Sequence, residues 1–188
     1  MTFVPPTWFE GALIWASYLV IPVIIGIIAL IYTWFLKEKH EGIGLIICIA
    51  CLVLAMFGSQ VLWHEQYEVP SVQEKIITVD NWQPTFGKYW GEIESADDLM
   101  MQTTDGELFA NEEHFLFQKF NTRDILNNLH VNGTYKIKYY GWREGFNNGV
   151  PNILSISEVI NETGTKSNDI THYMNKRSII YDDDDDWR

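Results

Sequence analysis

Two long apolar runs constrain this chain more than any other feature. From Gly11 to Leu36 there are 26 residues without a charge, and from Ile43 to Trp63 another 21. Either run is enough for a helix to cross a hydrocarbon layer of about 30 Å. Both read as membrane-spanning helices, since soluble helices of this length carry a polar face. Trp8, Phe9, Trp34 and Trp63 stand near the ends of the runs, where amphipathic rings settle at headgroup level. A cleaved signal peptide does not fit: no Lys or Arg precedes Lys37, the run is too long, and a second span follows. Only six residues, Lys37 to Gly42, join the runs, so the helices form an antiparallel hairpin. Lys37 and Lys39 mark that loop as cytoplasmic and send both termini to the opposite side. The expected location is an inner, plasma or thylakoid membrane, with the lipid bilayer as one partner. Few polar residues interrupt the spans, so they anchor rather than conduct. Gly26 and Ala29 on the first, and Gly44, Ala50, Ala55 and Gly58 on the second, are small enough for close helix packing with each other or with further subunits.

After Val69-Pro70 the pattern changes to short strands and turns. Glu74–Asp80 and Gly87–Ser95 are strand-like, and Asp98–Thr104 follows. Asp105-Gly106 is a hairpin turn ahead of Glu107–Ala110. Asn121–His130 reads as one short helix with an N-capping Asn or Thr, ending near Asn132-Gly133. Thr134–Tyr140 and Asn152–Ile160 alternate as strands. Three strands, a helix and two strands is the element order of a five-stranded OB-like antiparallel β-barrel, with a β-sandwich or open antiparallel sheet as the alternative. The organisation expected is an N-terminal arm (1–10), a two-span hairpin (11–63), an extracytoplasmic β-domain (67–160) and a flexible acidic tail (161–188).

The segments Ala110–Leu129 ("ANEEHFLFQKFNTRDILNNL") and Tyr139–Ile156 ("YYGWREGFNNGVPNILSI") resemble an uncharacterised family of bacteria and their phages, domain of unknown function 1523. Tyr139 to Arg143 and Pro151-Asn152 fit its pattern, while Val150 stands where that pattern has an aromatic. The resemblance spans roughly Glu107 to Ile156. It implies a membrane-attached envelope protein and supplies no reaction.

Charge narrows the partners. The chain carries −12, and between Tyr67 and Ile160 seven Lys and Arg face fourteen Asp and Glu. Such a surface repels phosphate backbones, so nucleic acid is not an expected partner. Cys48 and Cys51 lie one helical turn apart inside the second run, without the further ligands a metal site needs, and read as packing residues. Two spans ahead of a β-domain also resemble subunit II of haem-copper oxidases. Copper electron transfer is excluded, because the β-domain has no Cys and its only histidines are His114 and His130. The run Asn111–His114 reads as a solvated loop rather than a metal site, and His64-Glu65 as a snorkelling pair at the membrane edge. No catalytic or phosphate-binding motif is present. Neither a metal nor a cofactor is expected, nor is an enzyme.

The loop after Tyr140 is the one candidate binding site. Trp142 offers a stacking platform, Arg143 a charge, and Asn147 and Asn148 amide donors and acceptors. Its plainer reading is a closing hairpin, with Asn148-Gly149 as a turn. Asp182–Asp186 is a self-repelling run, read as a solvated terminus, or as a lure for a basic partner or a weak Ca²⁺ site. Two functions follow: an accessory subunit or scaffold that binds and assembles within an envelope membrane complex, or a phage-encoded membrane effector of holin-like or superinfection-exclusion type.

Overall fold

The computed structural model describes residues 3–35, 41–89, 92–143 and 149–162. The chain divides into two compact units, with the boundary between Pro70 and Ser71. In the first, helix α1 (Trp8–Phe35) opens with a capping box. The Thr7 backbone N–H donates to the Glu10 carboxylate (2.9 Å), and the Thr7 hydroxyl accepts from the Glu10 backbone N–H (3.4 Å). Two of the N–H groups left over at a helix start are thereby satisfied. Helix α2 (Glu41–Trp63) packs on α1. Pro22, Gly26 and Ala29, spaced four and three apart, are the buried positions among the described residues of α1, and a β-carbon on Gly26 would stand 2.8 Å from Leu52 Cδ2. The chain leaves α2 through a π-helical turn, His64–Glu68, where the His64 ring meets Glu68 at 2.8 Å instead of pairing with Glu65.

Among the described residues, no helix is long and apolar enough to cross a membrane. The two-span transmembrane hairpin and its membrane location with both termini outside are corrected on this finding. Lys37 and Lys39, on which the orientation rested, lie outside the described residues.

The second unit is a five-stranded sheet closed into a barrel in the order β1-β2-β3-β5-β4. Its strands are β1 (Gln73–Pro84), β2 (Leu99–Thr103), β3 (Leu108–Ala110), β4 (Thr134–Tyr140) and β5 (Asn152–Asn161), with helix α3 (Thr122–Asn128) between β3 and β4. The expected antiparallel barrel is corrected here as well: β3 and β5 run parallel, so the sheet is mixed. That parallel seam is narrow, with Ala110 opposite Asn152 as its only residue pair. A bulge near Asp80 divides β1, whose first half pairs with β4 and whose second half pairs with β2. The ten residues of β5 lie against seven of β4, with three register shifts taking up the difference. Each shift adds local twist, and twist curls a sheet toward closure.

The core gathers Ile77, Val79, Trp82, Leu99, Met101, Phe109, Ile125, Leu126, Leu129, Tyr135, Ile137 and Ile153. Trp82 is its largest fully buried side chain, and its indole N–H donates to the Leu129 carbonyl at 3.2 Å. The Tyr135 hydroxyl accepts from the His130 backbone N–H (3.0 Å) and presses so closely on Gly133 that a β-carbon there would stand 2.4 Å away.

Gly87–Ser95, expected as a strand, contains none among its described residues. The Asp98 carboxylate accepts the backbone N–H groups of Glu94 (3.0 Å) and Ser95 (3.1 Å), donors that a ladder would otherwise use. Lys88 pairs with the same carboxylate. Burial pushes the Asp98 carboxyl up, but Lys88 and the two N–H groups outweigh it and hold the group below the ordinary carboxylate value. A carboxylate depressed on folding stabilises the fold above its unfolded pKa, and that stability disappears as pH falls through the folded value. The unfolding free energy of the full chain is therefore expected to drop below about pH 4, and Asp98→Asn to flatten that part of the curve. Parallel acid limbs in the two proteins would rule Asp98 out as a source of the pH dependence.

Candidate functional site

Beyond β3 the chain makes a tight hairpin, with His114 and Lys119 exchanging both backbone hydrogen bonds at 3.0 Å and Gln118 in the left-handed region (φ 53°). The turn points Lys119 inward, leaving the residue only 4% exposed. Its ammonium has three donors and meets three oxygens: Asn111 Oδ1 (3.2 Å), the Glu112 carbonyl (2.5 Å) and Asn152 Oδ1 (3.2 Å). Burial pushes the Lys119 amine down to about 8, against the pull of the Glu112 and Glu113 carboxylates.

Asn152, the first residue of β5, is the hub of the cluster. Its Oδ1 also accepts the Glu112 backbone N–H (3.0 Å), while its Nδ2 donates to the Glu112 carbonyl (3.0 Å) and to the Tyr140 hydroxyl (3.1 Å). Asn111 Nδ2 donates to the Thr122 carbonyl at 2.8 Å. The Tyr140 ring packs on Phe117 and His114, with centroids 4.4 and 5.3 Å apart. Side chains from the hairpin, the end of β4 and the start of β5 thus converge where β3 and β5 share their single pair.

Outside this cluster a cleft of about 500 Å³ runs along the hairpin arm and β5, lined by Phe117, Phe120, Asn121, Lys138, Leu154 and Ser155 among others. Phe120 is 62% exposed. Asn121 Nδ2 reaches the Leu154 carbonyl at 3.5 Å, and its buried Oδ1 has no hydrogen-bond partner. Past Asn152, the edge of β5 away from β4 meets no strand among the described residues.

The residues singled out in the sequence fall as follows. Trp142 is half-buried and Arg143 exposed, both just after β4, while Asn147 and Asn148 lie outside the described residues. Tyr140, the last residue of β4 ahead of that loop, is buried in the polar cluster. Tyr139 packs edge-on against Phe109, with centroids 5.2 Å apart. Gly26 and Ala29 are buried on α1; Ala50 is exposed, Ala55 and Gly58 are half-buried, and nothing stands within 4 Å of a β-carbon at Gly58. The surroundings of Gly44 and of the Cys48 thiol lie outside the described residues, and Cys51 is a free, half-buried thiol. Sequence reasoning missed Asn111, Lys119 and Asn152. A signal was present: Lys119 follows Phe115-Leu116-Phe117-Gln118 and precedes Phe120, a largely apolar setting that is unusual for a solvated cation.

No family model matches the chain, and neither a curated protein nor a solved structure matches it.

Proposed function

We propose that the protein is a non-catalytic binding and assembly module, an accessory subunit whose barrel engages a protein partner through the cleft beside β5. The observation that carries this reading is the composition of that cleft. An exposed ring (Phe120), a cation (Lys138) and a buried, unpartnered amide oxygen (Asn121 Oδ1) converge on one concave surface. An apolar anchor with a few placed polar groups is the usual make-up of a binding site. Lys119, the one strongly perturbed amine among the described residues, supports binding over turnover, since all three of its donors are engaged inside the protein. The helical unit supports assembly: Ile28 and Leu54 are 61% and 70% exposed, and apolar surface of this kind marks interaction sites. Trp142 and Arg143 offer a second contact region in the same barrel unit.

The test is a quantitative pull-down from the source organism with the full chain as bait. Phe120→Ser combined with Lys138→Ala is expected to weaken retention of a stoichiometric partner about tenfold, with the melting temperature unchanged. Undiminished retention by that double variant would remove the cleft from the reading.

A further inference from the structure

We infer that Lys119 and Asn152 join in an intramolecular isopeptide bond, sealing the hairpin after β3 to the first residue of β5. In this step the Lys119 amine adds to the side-chain carbonyl carbon of Asn152. A bond forms between Nζ and Cγ, the bond from Cγ to Nδ2 breaks, and the nitrogen departs as ammonia carrying the proton that Nζ gives up. Nothing is oxidised or reduced, and no co-reactant is consumed.

The parts such a step needs surround these two side chains. Nζ lies 3.2 Å from Asn152 Oδ1, so the amine is held against the amide it would attack. The oxygen that gains charge on addition already accepts the Glu112 backbone N–H at 3.0 Å, a fixed donor of the kind that stabilises tetrahedral intermediates. The Tyr140 hydroxyl stands 3.1 Å from the departing Nδ2, where a phenol can pass a proton to the leaving nitrogen. Lys119, Asn152 and Tyr140 are all buried, which keeps out the water that would hydrolyse the intermediate. Desolvation also supplies the nucleophile, because an amine whose proton affinity has dropped to about 8 is partly neutral near neutral pH. Asn111 is equally near Nζ, but its Nδ2 faces the Thr122 carbonyl, which has no proton to give.

The position of the bond has a structural use. It spans the seam where β3 and β5 share one residue pair, in a unit whose sequence holds no cysteine, both cysteines being at 48 and 51. A covalent link there does what a disulfide does elsewhere, restricting the unfolded chain.

The intact mass of the full chain, freshly purified, reduced and denatured, tests this without any variant. The expected mass is lower than that of the sequence by one ammonia. A protease digest is expected to yield a branched peptide joining Lys119 to Asn152, and Lys119→Arg to return the full sequence mass. A wild-type mass equal to that of the sequence overturns the proposal. So does an ammonia loss that maps to a linear peptide, as a succinimide at Asn132-Gly133 would give, or to a branch at Asn111.

Discussion

Trp82→Ala is expected to cost the barrel unit about 4 kcal/mol. The ring is fully buried, and truncation leaves a cavity that strands on opposite sides of the barrel cannot collapse to fill. The change also orphans the Leu129 carbonyl, which accepts the indole N–H. Loss of near-ultraviolet dichroism at ambient temperature, with a denaturant midpoint shifted far below wild type, is the measurement. A midpoint within experimental scatter of wild type would show that Trp82 is not the keystone of this core. Trp82→Phe separates the two contributions, since it keeps most of the ring volume and loses only the hydrogen bond, at roughly 1 kcal/mol.

Asn152→Ala, compared with the chain in which Lys119 and Asn152 are not joined, is the second large effect, and its origin there is polar. Removing the amide leaves the Glu112 N–H without its acceptor, takes one of three oxygens from the buried Lys119 ammonium, and strips the Tyr140 hydroxyl of a donor. A buried donor left unsatisfied costs 1–3 kcal/mol, more when charged, so about 3 kcal/mol is expected for the cluster, or roughly 15 °C in melting temperature for a domain of this size. Thermal unfolding of purified protein checks it. Hydrogen exchange at the Glu112 amide adds a readout specific to the cluster, since loss of the acceptor exposes that proton first. A variant melting with wild type and with Glu112 still protected would show that the cluster contributes nothing to closure.

How much of this was legible in the sequence varies element by element. Thr134–Tyr140 was readable to the residue because its alternation is clean and one face is buried. Asn121–His130 pointed to α3 through its apolar spacing, although Asn121 stands at the N-cap without a side-chain cap hydrogen bond. The second half of β1 was hidden, because the bulge near Asp80 breaks the period of two: Val79 and Trp82, three apart, are both buried. Gly87–Ser95 misled because its aromatic residues imitate a strand, whereas the Asp98 carboxylate decides where its backbone donors go. The two apolar runs were placed as helices, but their assignment to a membrane rested on composition alone. Of the polar cluster, only the unusual setting of Lys119 was readable. Asn111 and Asn152 are far apart along the chain, each looks like an ordinary turn residue, and only the parallel contact of β3 with β5 brings them together.

The divided pairing of β1 also fixes an order of events. Its second half meets β2 across a short connection, Trp82 opposite Met101, whereas its first half must wait for β4, Ile77 opposite Tyr135. Closing the longer loop costs more chain entropy before any contact rewards it, and such distant pairings slow the search for the native topology. One strand is therefore expected to belong to two stages of folding, the stretch after the bulge pairing early with β2 and the stretch before it docking later, when β4 arrives.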